Sequence, residues 1–309
     1  MSYVFGPVPS RRLGLSLGVD LIPFKTCTFD CLYCEVGKTT SKTLEPKSLV
    51  SVRELVHEIK KKLLKSKPDN VTLAGSGEPT LHSRIHEVIS SIKEVTETKV
   101  ALLTNGSLFW KEEIRQRVLK ADIILPTLSS VFEDTFRMIH RPHPGLDVST
   151  VIDGLERLRQ DYNGLIFLEV VFLKGINDTE NEVEGLKNVI ERINPEKIQL
   201  NTVVRPPADK RAVSLDRKRL EEIKVFLGER AEIIAGVSVE AKKGKADTLI
   251  RDLLDMVKRR PLRSIDIQNA MGLSSRDVED LVKGLLIKGY ISRQAHSGEI
   301  YYLSNGKDI

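Results

Sequence analysis

The stretch Leu15-Ser-Leu-Gly-Val-Asp-Leu-Ile22 runs, four residues later, into Cys27-Thr-Phe-Asp-Cys31-Leu-Tyr-Cys34. The first segment reads as an apolar strand and the second as the loop that follows it. These three cysteines are the only ones in 309 residues, so every thiol of the chain sits in one loop. Thiolates this close can converge on one soft metal centre. A disulfide framework is a poor reading, because the number is odd, the spacing is too tight to staple a fold, and no secretory signal is present. Zinc needs a fourth ligand, and the next histidine, His57, falls on an expected helix well beyond the usual short spacing. A buried trio of thiols stays open, but it leaves their clustering unexplained. An iron–sulfur site explains it. A [4Fe–4S] cluster usually takes four cysteines, so three leave one iron able to bind a small molecule.

From that strand onward, apolar periodicity alternates between two and about 3.6 residues. Strands are expected at 15–22, 71–74, 99–104, 122–128, 165–172 and 197–204. Helices are expected at 52–64, 83–95, 110–119, 150–159, 180–193 and 216–227. Such alternation implies a parallel sheet with crossover helices. Six units are too few for an eight-fold barrel, which leaves a partial barrel and a doubly wound open sheet. In both, ligands gather at the C-terminal ends of the strands.

The strand ends carry the polar residues. Gly75-Ser-Gly77-Glu78-Pro79 offers close backbone approach and a carboxylate that can accept from an ammonium group; it also reads as an ordinary glycine turn. Thr104-Asn105-Gly106 contains a common turn pair. Ser129 and Ser130 follow the fourth strand, where serines often start loops. After the fifth strand, Lys174 could meet an anion or form a Schiff base, or simply be solvated. Asn177 reads equally as a helix cap or a site residue. Gln199 and Asn201 share one face of the sixth strand and would line a polar interior. Arg11, Arg12 and Arg205 suit bidentate binding of carboxylate or phosphate, although lone arginines are usually solvated. His140-Arg-Pro-His143-Pro-Gly is expected in a long loop, as a lid or a rigid connector.

Cys-x3-Cys-x-aromatic-Cys, with Tyr33 as the aromatic, resembles the signature of the radical SAM superfamily. The resemblance implies a partial (β/α)6 TIM-type barrel. It implies a [4Fe–4S] cluster on Cys27, Cys31 and Cys34, with S-adenosyl-L-methionine on the fourth iron. One electron from the cluster would cleave the sulfonium to a 5′-deoxyadenosyl radical that abstracts hydrogen from a substrate. Ser76-Gly77-Glu78 stands where the family has a Gly-Gly-Glu-like motif, so Gly77 and Glu78 are carried over as contacts to the cofactor's amino group. Tyr33, Thr104, Asn105, Ser129 and Ser130 would be further cofactor neighbours. Arg11, Arg12, Lys174, Asn177, Gln199, Asn201 and Arg205 are weaker substrate candidates.

Gly6-Pro-Val-Pro-Ser-Arg-Arg-Leu-Gly14 and Gly18-Val-Asp-Leu-Ile-Pro are similar to a subgroup related to the wyosine-forming tRNA enzymes, over about residues 3–205. Wyosine synthases carry a second cluster on three more cysteines, which this chain lacks. The resemblance also implies an electron donor such as ferredoxin or flavodoxin, and a substrate that is a modified tRNA base, a protein glycine or a small metabolite.

Residues 236–246 read as a polar linker between a barrel at 1–235 and a small domain at 247–309. Three helices and a hairpin there resemble a winged helix, with 274–288 as the recognition helix. Residues 246–309 hold ten Lys/Arg and nine Asp/Glu, so no basic stripe marks a nucleic-acid surface, and protein contact is as good a reading. An iron–sulfur redox sensor that binds DNA is the competing function. The whole chain is 40% hydrophobic and 29% charged with net charge +5, as ordinary globular proteins are. No apolar run is long enough to span a bilayer. With no targeting pattern at the start, a cytoplasmic protein is expected.

Overall fold

The computed structural model describes residues 3–234 and 249–306; the expected linker lies outside the described residues. Strand β1 (Val4–Ser10) turns back into β2 (Gly14–Asp20) as an antiparallel pair. The cysteine loop follows, with a two-residue ladder between β3 (Thr26–Cys27) and β4 (Ser41–Lys42). Then come α1 (Val52–Leu63), β5 (Asn70–Ala74), α2 (Ile85–Lys93), β6 (Lys99–Thr104), α3 (Glu112–Val118) and β7 (Ile123–Pro126). Two helices, α4 (Glu133–His140) and α5 (Val148–Asp161), lead to β8 (Leu165–Phe172). The series ends with α6 (Glu180–Ile193), β9 (Lys197–Thr202), α7 (Arg217–Leu227) and β10 (Ala231–Ile233).

Among the described residues, eight strands form one sheet in the order β1-β2-β5-β6-β7-β8-β9-β10. Every pair after β1–β2 is parallel. Strands thus neighbour in chain order. A doubly wound sheet reverses its order partway, so this winding is that of an incomplete barrel. The six expected parallel strands are present. β1 and β10 extend the sheet beyond the sequence reading.

Side chains alternate across the sheet. Val100, Leu102, Ile124, Ile166 and Leu168 face the helices and form the main core with Leu55, Ile89 and Leu155. Ala101, Ile123, Leu125 and Phe167 lie on the other, concave face and pack with Leu13 into an apolar plug. The first two parallel strands add a polar pair, Ser16 and Thr72, hydrogen-bonded at 2.6 Å, and nearer the C-terminal ends of β8 and β9 the inner face turns polar with Glu169 and Asn201. The plug fills the lower barrel, and the polar upper half is where a cavity opens.

The His140-to-His143 stretch departs from expectation. His140 is the last residue of α4 and is fully buried, so the loop begins only at Arg141.

After the undescribed stretch, α8 (Leu249–Arg259), α9 (Ser264–Met271) and α10 (Ser275–Ile287) precede a hairpin of β11 (Ile291–His296) and β12 (Glu299–Ser304). Ser274 caps α10 through its hydroxyl, and Asp277 reaches back to the Ser274 N–H. Leu253, Leu254, Val257, Ile267, Val278 and Leu285 make a second core, and Val8 of β1 is part of it. Tyr301 of β12 donates to the Val204 carbonyl at 2.6 Å. Among the described residues no helix is long and apolar enough to cross a membrane.

Leu253 is wholly enclosed in this second core. Leu253→Ala is therefore expected to cost about 2–5 kcal/mol, measured as a lower midpoint in guanidinium unfolding.

Candidate active site

The cysteine loop has little regular structure, so its backbone groups need partners elsewhere. Three segments supply them. From the loop after β5, the Ser76 carbonyl accepts from the Lys25 N–H at 2.7 Å, and the Glu78 N–H donates to the Thr26 carbonyl at 3.1 Å. The end of α4 takes the other side: Asp30 N–H donates to the His140 carbonyl and Leu32 N–H to the Ile139 carbonyl, each at 2.9 Å. From the segment after β9, Ala208 N–H donates to the Cys34 carbonyl at 3.0 Å and Asp209 N–H to the Leu32 carbonyl at 3.1 Å. The loop is thereby fixed against two strand ends and the end of α4.

Gly77 is required by this fit. A Cβ there would lie 1.9 Å from the Thr26 carbonyl oxygen. Gly75 has φ +131, and a Cβ would strike the Asp20 carboxyl. Asp20 itself accepts from the Ser76 N–H at 3.1 Å and the Ser76 hydroxyl at 2.6 Å.

The three thiols are free and half-buried. Lys25 Nζ lies 3.1 Å from Cys34 Sγ, Asn105 Nδ2 3.5 Å from Cys27 Sγ, and His140 Nδ1 3.4 Å from Cys31 Sγ. Burial, reinforced by Glu78, pushes the Cys27 thiol up to about 12. Burial and the neighbouring thiols raise Cys31 well above its ordinary value. Thiolates here therefore need compensating positive charge, which a metal centre provides while it deprotonates them. Among the described residues no three His, Cys, Asp or Glu side chains close around a single ion. A [4Fe–4S] cube seats each thiolate on a different iron and tolerates a wider spread. The donor set and its spacing fit a cluster, and Lys25 and Asn105 stand ready as donors to the sulfurs.

Glu78 is buried, and burial raises its pKa against the pull of its hydrogen bonds. Its Oε1 accepts from the Thr80 N–H, the Thr80 hydroxyl and the Thr104 hydroxyl at 3.0, 2.6 and 2.6 Å; Oε2 accepts from the Asn105 N–H at 2.7 Å. The carboxylate ties the β5 and β6 strand ends together, and Oε2 keeps acceptor capacity. Asn105 Nδ2 also donates to the Thr28 hydroxyl at 2.7 Å, linking β6 to the cysteine loop.

His140 is held at about 3 by burial and is neutral at any physiological pH. Its ring lies 5.1 Å from Phe29 and 5.0 Å from Phe136, centroid to centroid, and the Tyr33 hydroxyl is 3.5 Å from Nδ1. Burial raises the Tyr33 pKa well above its ordinary value, and its hydroxyl is within hydrogen-bonding reach of Ser129. Ser130 turns away and donates to Glu182 at 2.8 Å. Asn177 closes the turn after β8, donating to the Ser129 and Val171 carbonyls and accepting from the Leu173 N–H. Thr179, not Asn177, caps α6. Lys174 is exposed, 4.0 Å from Asp216. Gln199 donates to Glu232 at 2.9 Å.

Arg11, Arg12, Asn201 and Arg205 do come together, around a cavity of about 350 Å³ that also touches Tyr33 and Cys34. Arg12 pairs with Glu169, which also accepts from Asn201 at 2.8 Å and Thr127 at 3.1 Å. Arg205 pairs with Glu35 at 3.1 Å, and Arg11 lies 3.6 Å from the same carboxylate. Burial would raise the Glu35 pKa, but Arg205 and Arg11 outweigh it and hold the group at about 2.

Residues 21–185 match the family model described as the radical SAM superfamily. The chain belongs to that superfamily. Radical SAM members use a [4Fe–4S] cluster and S-adenosylmethionine. Among curated relatives, a UPF0026 protein of Methanocaldococcus jannaschii is 30% identical over 318 residues, covering 99% of this chain and 97% of that protein. A protein named GTPase Obg from Brachyspira hyodysenteriae is 34% identical over 306 residues; the match covers 98% of this chain but only 45% of that longer protein. In fold, the chain is similar to a structure of TYW1 with a lysine-pyruvate adduct bound, at TM-score 0.50 and 16% identity, covering 72% of this chain and 75% of that one.

The reading of residues from sequence missed Lys25, Glu35 and Glu169, and it set His140 in a loop as a lid or connector rather than buried beside Cys31. Glu169 had a signal, as a lone carboxylate inside the apolar run of β8, where an unpaired charge is costly. Lys25 and Glu35 gave none, since their neighbours come from distant segments.

Gly77→Ala is expected to cost at least about 1–3 kcal/mol by pushing the β5 loop off Thr26. Guanidinium unfolding of the cluster-free protein reads this directly.

Proposed function

We propose that the chain is a radical SAM enzyme whose residues 1–235 form the catalytic barrel, with Cys27, Cys31 and Cys34 holding the [4Fe–4S] cluster. The observation that carries this is the gathering of all three thiols in one loop pinned to the β5 and β9 strand ends, with Tyr33 and Cys34 of that loop lining the arginine-rich cavity. When bound, the cluster supplies one electron that cleaves S-adenosylmethionine to a 5′-deoxyadenosyl radical, which takes a hydrogen atom from the substrate.

The chain's own residues orient and insulate. Lys25 and Asn105 donate to the cysteine sulfurs, and such hydrogen bonds tune cluster potentials. Gly77 lets the β5 loop approach, and Glu78 offers Oε2 to the cofactor's ammonium group. Thr104, Asn105, Ser129 and Tyr33 border the cofactor position. Phe29, Phe136 and the neutral His140 keep water from the cluster's inner side. The apolar plug of Ala101, Ile123, Leu125 and Phe167 closes the barrel floor.

A modified tRNA base is the substrate that the resemblance to wyosine-forming enzymes suggests, and a ferredoxin- or flavodoxin-type protein the electron donor. Residues 247–309 would form a winged-helix-like unit. Asp277, Glu279 and Asp280 on α10 make that helix a poor match for a phosphate backbone. A DNA-binding sensor would have no use for the strand-end cavity, so the enzyme reading is favoured.

The test is anaerobic. Protein reconstituted with iron and sulfide is expected to carry about four irons per chain. After reduction it should release 5′-deoxyadenosine from S-adenosylmethionine, detected by mass. Cys31→Ala should lose both the iron and the product. Fully loaded wild-type protein that makes no 5′-deoxyadenosine would sink the reading.

A further inference from the structure

The cavity beside Tyr33 and Cys34 is lined by five arginines: Arg11, Arg12 and Arg205 from the barrel, and Arg259 and Arg260 from the end of α8. Two carboxylates in the lining, Glu35 and Glu169, are engaged by Arg205, Arg11 and Arg12. At the margin Asp20 lies 3.4 Å from Arg259, whose guanidinium also sits 4.5 Å from the Phe5 ring centroid. Asp266 acts on Arg205 and Arg260 from outside the cavity while bound to Arg263. Among the described residues, three carboxylates in or beside the lining, with Asp266 outside it and shared with Arg263, thus face five guanidinium groups.

Crowding like charges away from water is unfavourable unless an anion joins them. Two of the five groups carry this cost, while at Arg205 burial is opposed by Glu35, which favours the charged form. Burial, with Arg205 adding repulsion, lowers Arg260 to about 9, and burial lowers Arg11 to about 10. Arg12 Nε and Arg205 Nε are buried with no hydrogen-bond partner. Guanidinium groups with spare donors suit the planar or tetrahedral oxygens of carboxylate and phosphate.

We propose that this arginine cluster is the docking site for a phosphate or carboxylate group of the substrate, and that Arg260 from the C-terminal helices completes it. The location beside the cluster rests on the radical SAM reading, but the anion site itself stands on the arginines. The C-terminal segment then serves the substrate pocket directly. Its position across the barrel mouth is what brings Arg259 and Arg260 within reach of Arg11, Arg12 and Arg205.

The experiment is calorimetric titration of the reconstituted full chain with inorganic phosphate and, separately, with succinate, at ionic strength held constant by sodium chloride. Saturable binding of one probe is expected, and which one binds assigns the phosphate or the carboxylate class. Arg260→Gln and Arg11→Gln, on separate segments, should each weaken that binding about tenfold or more, as expected for loss of a charge-assisted hydrogen bond. Arg157→Gln, on the exposed side of α5, should leave it unchanged. Binding of neither probe overturns the proposal. So does binding unaffected by both cavity variants. Displacement of the probe by saturating S-adenosylmethionine overturns the substrate assignment, because the arginines would then hold the cofactor. The same preparation assayed for 5′-deoxyadenosine separates the two ideas: turnover without anion binding removes only this inference, and anion binding without turnover removes only the enzyme reading.

Discussion

The contact between Gly77 and the Thr26 carbonyl governs the rest of the site. A loop of eight residues with three thiols has no secondary structure strong enough to shape it. Its shape is borrowed from the β5 strand end, and the loan depends on a residue without a side chain. Around that contact the backbone bonds of Lys25 and Glu78 form, and Glu78 in turn binds Thr104 and Asn105 at the next strand. The order of dependence runs from β5 to the cysteine loop to β6. The barrel thus positions the thiols through main-chain hydrogen bonds, which have fewer degrees of freedom than side-chain contacts.

The barrel interior is divided by polarity along one face of the sheet. Alternation sends every second residue inward, and the identity of those residues changes midway. Phe167 and Leu125 seal the floor, while two residues further along β8 Glu169 begins the polar half. The same strand supplies the dry base and the charged wall, so the boundary between them is set to within one pleat.

The parallel strands and the helices between them were readable because their apolar periods are long; the caps at Ser51, Asp147, Thr179 and Asp216 emerge only in the structure. β1 was not readable, since Pro7 and Pro9 argue against a strand. An edge position with a shifted register between Phe5 and Val8 tolerates them. α4 was missed because it is short and Phe132 gives no side-chain cap. The cysteine and glycine loops announced themselves through rare residues at tight spacing. Arg259 and Arg260 did not, because a pair of arginines after an amphipathic helix looks like solvated surface until the fold brings Arg205 beside them.

β10 pairs with β9 only at Ile198, Gln199 and Leu200, so the upper end of β9 is left as a free margin of the sheet. β1 forms the opposite margin. The C-terminal helices pack on β1 through Val8, and the hairpin grips the chain just past β9 through Tyr301 and Val204. They therefore span the gap between the first and last strands. Two further strand–helix units would fill that gap in a closed barrel. Here a separately cored segment bridges it like a keystone, and a keystone can be reshaped without rebuilding the arch. The size of the opening and the charge lining it can vary with α8 and the hairpin while the six-strand frame and its thiol loop stay as they are.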